Sequence, residues 1–378
     1  MRQEISLLEH FADLSDPRID RTKLHGLSDI LVIAVSAVIC GAEGWTDIEE
    51  FGKSKEEWLR KFIPLANGIP SHDTFSRVFE RLDPEQFEAC FLSWIKSLRL
   101  ITGQVAIDGK TLRRSHDQTN GKKALHMVSA WASECGLVLG QVATEEKSNE
   151  ITAIPELLKM LDLSGCLVTI DAMGGQTSIA AQIIEQGGDY LLAVKDNQKN
   201  LACDIEEIFD LEFAQTEPFE GFAHDYTKTI DKGHGRIEIR ECWTITDSEL
   251  LQYLRKSDVW SDLKTIALVR GTRRINGVES VQDRYYIASL SADARTILQA
   301  VRHHWGIENS LHWVLDVVFR EDQARMRQGD TAHNFVMLRH IALNLLRAQK
   351  SGPKSVRGKR LKAAWDNDFL LKILLNSQ

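Results

Sequence analysis

Over residues 1–100 the apolar positions recur at helical spacing; beyond that point they fall into short runs and alternations. Asp29-Ile-Leu-Val-Ile-Ala-Val-Ser-Ala-Val-Ile reads as a hydrophobic helix, and Asp47 to Phe62 mixes charged and apolar residues with helical period. The apolar stretch beginning at Ile30 is too short to cross a bilayer comfortably, so a buried helix and no membrane are expected. In Pro70-Ser-His-Asp-Thr-Phe-Ser-Arg-Val-Phe-Glu-Arg-Leu, Ser71 is placed to cap a helix whose apolar stripe is Phe75, Val78, Phe79 and Leu82. Short helices joined by Gly/Pro turns admit a helix-turn-helix that sets Thr74, Arg77 and Arg81 against DNA. A helical bundle that only packs is the alternative.

At Val105 the period changes to that of strands. Val105-Ala-Ile-Asp, Leu125 to Ala132 and Leu137 to Ala143 read as three strands, the last two joined at Cys135-Gly136 as a hairpin. Ile151 to Leu161 is an amphipathic helix, Cys166-Leu-Val-Thr-Ile-Asp an apolar strand, Thr177 to Gln186 a helix, and Tyr190-Leu-Leu-Ala-Val another strand. The order β-β-β-α-β-α-β predicts an α/β fold, a ribonuclease-H-like mixed sheet covered by helices. After an acidic helix from Asn200 to Asp210, runs at Arg236, Lys264 and Arg284 predict an inserted β subdomain. Helices follow from Ala292 to about Phe319 and from His333 to Gln349. The predicted organisation is a helical N-terminal domain (1–100), the first part of the core (101–199), the β insertion (200–292), the rest of the core (293–350) and a basic C-terminal tail (351–378).

Charge qualifies this picture without changing it. Lys and Arg number 46 against 54 Asp and Glu, a net charge of −8, so the chain is no basic nucleic-acid coat. Basic residues are instead local: Lys110, Arg113, Arg114, Lys122 and Lys123; Arg270, Arg273 and Arg274; and Lys354, Arg357, Lys359, Arg360 and Lys362. Each run is either a phosphate-binding patch or a solvated face. The 6 cysteines are scattered with no C-x-x-C, which argues against a disulfide scaffold or a zinc knuckle. The N-terminal residues lack a signal-peptide pattern, and a cytoplasmic location is expected.

The candidate chemistry lies in carboxylates. Asp108 and Asp171 each end a predicted strand and are followed by small residues, Gly109 in one case and Ala172-Met-Gly-Gly in the other. Either Asp alone is equally a turn former; two on neighbouring strands of one sheet are placed to share a cation. A third ligand is expected from a helix. In His303-His-Trp-Gly-Ile-Glu-Asn-Ser-Leu-His-Trp-Val-Leu-Asp, the residues Glu308, His312 and Asp316 fall on one face at i, i+4, i+8. Acidic oxygens suit Mg²⁺, and two such ions can activate an attacking oxygen and stabilise a leaving one. A zinc site from His303, His304, His312 and Glu308 competes, although H-E-x-x-H is absent and no cysteine lies nearby. No G-x-x-x-x-G-K-[ST] occurs, so no nucleotide cofactor is expected.

Ala106-Ile-Asp-Gly-Lys-Thr-Leu-Arg-Arg-Ser, Thr169-Ile-Asp-Ala-Met-Gly, Leu192-Ala-Val-Lys-Asp-Asn-Gln, His234-Gly-Arg-Ile-Glu-Ile-Arg and His304-Trp-Gly-Ile-Glu-Asn-Ser-Leu-His-Trp together resemble the ISAs-type insertion-sequence transposases. The resemblance is greatest to the H-repeat-associated proteins of enterobacterial Rhs loci and covers essentially the whole chain. It implies a ribonuclease-H-like domain with an Asp-Asp-Glu triad at Asp108, Asp171 and Glu308. It also implies two Mg²⁺ ions, with Mn²⁺ able to substitute, and nicking and strand transfer at the double-stranded ends of an element and in target DNA. Action as a homodimer on DNA is implied too. Many related enzymes carry Arg four residues before the glutamate, Tyr seven before and Lys seven after. Here those positions are His304, Val301 and Leu315, which sets a hairpin-forming mechanism in doubt.

Around this triad, Lys110, Arg113, Arg114, Lys195 and Asn197, with Gln198, are candidates to hold the DNA backbone. Arg236 and Arg240 alternate with Glu238, as a DNA-facing ladder or as a cross-strand salt-bridge ladder. His304, His312 and Asp316 are candidates to support the metal ligands, and Trp305 and Trp313 are expected to anchor the core. Besides an active transposase, two functions compete: a catalytically silent DNA-binding remnant, and a structure-selective nuclease on the same fold.

Overall fold

The structure is a computed structural model that describes residues 6–98, 103–116, 123–144, 150–233 and 235–375. Lys122 and His234, singled out above, lie outside the described residues.

The N-terminal part is helical: α1 (Ser6–His10), α2 (Leu27–Cys40), α3 (Trp45–Ser54), α4 (Glu56–Leu59), α5 (His72–Arg81) and α6 (Pro84–Ser97). The apolar run forms α2, buried over Asp29 to Ile39 and ended at Gly41, whose φ of 119° suits a residue without Cβ. Ser71 caps α5 by accepting from the Thr74 amide, and Phe75, Val78 and Phe79 are buried while Arg77 and Arg81 stay exposed. Asp83 caps α6, with Pro84 in its first turn.

These helices do not stand apart. They pack against α13 (Thr331–Ala348), which is buried on nearly all sides and is therefore a core helix rather than a surface one. Asn334 on α13 donates to the carbonyls of Phe79 and Leu82, both at 2.8 Å. Among the described residues no single helix is long and apolar enough to cross a membrane.

One nine-stranded sheet runs through the molecule in the order β3-β2-β1-β4-β5-β9-β8-β7-β6. Its strands are β1 (Gln104–Thr111), β2 (His126–Ala132), β3 (Leu137–Thr144), β4 (Leu167–Ile170), β5 (Asp189–Val194), β6 (His224–Gly233), β7 (Arg236–Ile245), β8 (Thr265–Ile275) and β9 (Val278–Ala288). β1, β2 and β3 form an antiparallel meander, and β4 and β5 add in parallel to β1, with α7 (Glu150–Met160) and α8 (Thr177–Glu185) as their crossovers. That half has the ribonuclease-H-like order.

The β-rich insertion, which also holds α9 (Lys199–Phe213) and α10 (Ser248–Gln252), is not a detached unit. β9 pairs antiparallel with β5 from Leu191↔Ala288 to Val194↔Tyr285, so the inserted strands prolong the core sheet. α11 (Ala294–His304) and α12 (Trp313–Val317) then return to the first half.

β3 is a sheet edge, and its outward backbone groups are covered. Asn344 on α13 accepts from the Val138 amide (2.9 Å) and donates to the Val138 carbonyl (2.8 Å), and Glu88 on α6 accepts from the Gln141 amide (3.1 Å). Burial pushes the Glu88 carboxyl up to about 8. Asn344→Leu strands both Val138 groups in a dry site and is expected to cost about 2–4 kcal/mol in urea unfolding. An unchanged midpoint would mean that α13 does not seal this edge.

The basic C-terminal segment is helical, and not all of its cations face solvent. It folds as α14 (Val356–Trp365) and α15 (Asn367–Leu374), and two of its cations are buried. Lys359 donates to the carbonyls of Leu346 (2.7 Å) and Gln349 (2.5 Å), closing the C-terminus of α13. Arg360 donates to Val38 and Val318 carbonyls and lies 4.2 Å over Phe319. Cations at helix C-termini satisfy carbonyls that the helix leaves unpaired.

Candidate active site

β1 and β4 run parallel with Ile107 level with Ile170, so Asp108 and Asp171 occupy the next rung of adjacent strands and lie toward the same face. Neighbouring strands are about 4.8 Å apart, which brings the two carboxyls close together. The amides of Met173 (3.1 Å) and Gly174 (3.3 Å) donate to Asp171 Oδ1 and fix the turn that follows.

The helix crosses this face along β1. Gln104 Nε2 donates to the Ala300 carbonyl (2.9 Å) and to Thr169 Oγ1 (3.1 Å), Thr169 Oγ1 meets His304 Nδ1 (3.1 Å), His312 Nε2 lies 3.7 Å from Asp108 Oδ2, and Lys110 bonds Asp316. Ala300 and His304 thus lie at the levels of Gln104 and Ala106, and His312 and Asp316 at those of Asp108 and Lys110, while the eight helical residues from His304 to His312 pass only two strand residues. Within each of those two pairs the rises match, four helical residues advancing about 6 Å and two strand residues about 6.6 Å.

Phase is the difficulty. An α-helix turns about 100° per residue, so each four-residue step overshoots by about 40°. The structure absorbs the excess in a π-helical turn, Glu308–His312, where the Trp313 amide bonds the Glu308 carbonyl. Glu308 heads that turn, between His304 and His312 on the inward stripe, with its side chain exposed.

Burial, then the negative charges of Glu308 and Asp171, push the Asp108 carboxyl up to about 7. Burial drives the two imidazoles the other way, His304 down to about 4 and His312 to about 3, so both are neutral at neutral pH. His312 therefore meets Asp108 as a neutral ring.

As the side chains stand, no three His, Cys, Asp or Glu among the described residues are gathered tightly enough to hold a metal ion. The zinc alternative is not assembled: Thr169 engages His304, His312 faces Asp108, and His303 and Glu308 are exposed. The donors do fit a hard divalent cation. Asp171 and Glu308 both lie close enough to Asp108 to raise its carboxyl, and a cation among the three would turn that repulsion into attraction.

Several expected DNA contacts are engaged within the protein. Lys110 is largely buried and bonds Asp316 and Glu321 (2.7 Å to the latter), and Glu321 is itself buried beside Arg339 at 3.5 Å. Asp316 thus holds a lysine rather than the acid site. Asn197 donates to the carbonyls of Ala172 and Gly175 (3.4 Å to the latter), bracing the loop after Asp171. Arg236 (2.9 Å) and Arg240 pair with Glu238, and Arg240 also with Asp231 (2.6 Å), so the alternating residues form a salt-bridge ladder.

Arg113, Arg114 and Lys195 stay exposed, Arg113 within 3.3 Å of Asp322. Lys195 and Asp171 line a cleft of about 450 Å³ together with Glu206, Arg284 and Trp305. Trp305 and Trp313 are not core anchors: they are 43% and 55% exposed, and Arg284 stacks 4.9 Å over Trp305. Leu311 is the buried anchor.

Sequence reasoning missed the pair behind Asp108. His126 Nε2 and Glu150 Oε1 meet at 2.6 Å, buried, and Thr111 Oγ1 holds His126 Nδ1 at 2.8 Å. Gly109, one residue past Asp108, points at that pair on the opposite sheet face, where a Cβ would collide with both partners. Gly109→Ala is expected to cost about 1–3 kcal/mol through this overpacking, read by urea titration. No loss of stability would show that the pair can move aside.

Comparison with known proteins adds the following. A family model described as Transposase DDE domain matches residues 101–345, and one described as DDE_Tnp_1-associated matches residues 8–95. The chain is 41% identical to the "H repeat-associated putative transposase YhhI" of Escherichia coli K12, over 98% of both chains. It is 43% identical to the "Putative transposase YncI" of Escherichia coli O157:H7, over 98% of this chain and 94% of that one. Among solved structures, a piggyBac transposase synaptic complex with hairpin DNA aligns with 98% of this chain and 79% of that chain at TM-score 0.44 and 11% identity, too distant a likeness to argue from.

Proposed function

The chain belongs to the transposase DDE-domain family, and from that premise we propose that it cuts and joins DNA at the ends of its own element, using divalent ions held by Asp108, Asp171 and Glu308. When bound, Mg²⁺, or Mn²⁺ in its place, supplies the charge that activates an attacking oxygen and stabilises the leaving one.

The protein's part is positioning. Asp108 and Asp171 are fixed by β1 and by the turn after β4, and Glu308, exposed at the head of the π-turn, would close on what they hold. Neutral His312 packs against Asp108 without adding charge. Exposed Arg113, Arg114 and Lys195 attract the phosphodiester backbone. We place this activity in the cytoplasm, with double-stranded element ends and target DNA as substrates and a homodimer pairing two ends. The observation that carries the reading is that Asp108 and Asp171 follow Ile107 and Ile170 at the ends of adjacent parallel strands, with the chain on either side of Glu308 laid against them through His304 and His312.

Purified protein incubated with Mg²⁺ and a labelled duplex bearing the element's terminus should nick at that terminus. Binding without cutting under either Mg²⁺ or Mn²⁺ would make the chain a silent remnant. Cutting of generic junctions or hybrids without end preference would make it a structure-selective nuclease.

A further inference from the structure

Arg347, in the last turn of α13, is a half-buried cation. No carboxylate pairs with it among the described residues, its Nε has no hydrogen-bond partner, and burial lowers its pKa. Its guanidinium lies 4.9 Å over the ring of Trp131 on β2, and Nη2 donates at 2.6 Å to the Ser310 carbonyl, in the middle of the π-turn that Glu308 heads. The Trp131 ring and the C-terminus of α13 favour a cation here, yet the unpartnered Nε costs stability, which leaves room for a second reason.

The π-turn supplies one. Upstream of it the helix is pinned by Gln104 at Ala300 and Thr169 at His304; downstream it is pinned by Lys110 at Asp316. Both halves reach β1 only while the turn keeps its extra residue. Relaxing it to α-helix would rotate one half against the other by about 100° and turn Glu308 away from the strand-end acids. π-turns are rarely stable unaided, and the Ser310 carbonyl is where this one is held from outside.

We infer that Arg347 is a positioning residue that latches the π-turn and so keeps Glu308 within reach of Asp108 and Asp171. The inference rests on the reading of those acids as metal ligands. It makes Arg347 part of the catalytic architecture without contact with metal or DNA.

The test is Mn²⁺ affinity of the full chain, read from the electron paramagnetic resonance signal of free Mn²⁺, alongside thermal melting. Arg347→Met is expected to weaken Mn²⁺ binding by about 10–100-fold, as loss of an outer support does, with a melting temperature equal to wild type or higher. Arg347→Lys, which retains a donor for Ser310, is expected to recover most of the affinity. Because Arg347 acts through Glu308, Arg347→Met in the Glu308→Gln background should add less than about twofold.

Unchanged affinity in Arg347→Met, or an equally large further loss in the Glu308→Gln background, would overturn the inference. So would a loss that merely follows a lowered melting temperature and that Arg347→Lys does not restore. If the expected pattern is found in a chain that cuts no DNA, the transposase activity falls and the latch stands. If the chain cuts DNA and its Mn²⁺ affinity ignores Arg347, the latch alone falls. A chain that binds no Mn²⁺ sinks both.

Discussion

Asp108→Asn will leave the chain folded and lower the rate of element-end cutting by on the order of 10³-fold or more, a loss of at least about 4 kcal/mol of barrier reduction. The amide keeps the shape of the carboxyl and removes the charge that a divalent ion needs. The same variant carries a second signature, independent of DNA. With no divalent ion present, Asp108 holds its proton up to about pH 7, whereas an unfolded aspartate loses it near pH 4. Between those values the folded state binds the extra proton, so wild-type stability falls as pH rises through the window, by up to a few kcal/mol. Asparagine has no proton to lose. The variant should therefore melt above wild type at pH 8 and level with it near pH 4. Millimolar Mg²⁺ or Mn²⁺ should close the gap at pH 8 by binding the wild-type acids. Equal melting at pH 8 without metal would show that burial and the neighbouring acids do not hold the proton on Asp108.

Lys110→Met will destabilise the protein by about 3–5 kcal/mol, because it leaves the buried Glu321 carboxylate with Arg339 alone at 3.5 Å. Burial by itself would raise the Glu321 carboxyl; the charges of Lys110 and Arg339 hold it below its ordinary value. A depressed carboxyl contributes stability above the pKa it has when unfolded and loses it as pH falls through the folded value. The deficit of Lys110→Met should therefore be full at neutral pH and shrink below about pH 4, and Glu321→Gln in the same chain should restore much of it. Lys110 is engaged inside the protein, so the salt dependence of DNA binding should not change. A slope reduced by about one would return Lys110 to the phosphate backbone.

Much of this arrangement is legible in the sequence, for physical reasons that differ from place to place. The apolar run after Asp29, the meander from Val105 and the strands ending at Asp108 and Asp171 carry their own hydrophobic period, and tertiary context had only to assemble them. The regular spacing of Glu308, His312 and Asp316 pointed to one helical face, and the structure sets His312 and Asp316 against β1 while Glu308 is exposed.

What stayed hidden depends on contacts between distant residues. β6 is polar and exposed on both faces, so it has no strand alternation to read. The pairing of β9 with β5 leaves no local mark, which is why the insertion read as a separate unit. Lys110, Lys359 and Arg360 look like free surface cations until Glu321 and the carbonyls of Leu346, Gln349, Val38 and Val318 are found around them. Trp305 and Trp313 read as anchors because indole is usually buried. The helix instead turns its smaller residues to β1, and Trp305 meets Arg284 at the cleft rim. The π-turn has no signature in residue spacing at all.

The most direct measurement is a crystal structure of the protein soaked in Mn²⁺, with manganese located by its anomalous scattering. Manganese should lie between β1 and β4, about 2.0–2.2 Å from carboxylate oxygens of Asp108 and Asp171, with Glu308 swung in from the head of the π-turn to complete the site. Manganese bound elsewhere, or bound by the two aspartates while Glu308 stays turned to solvent, would contradict the account.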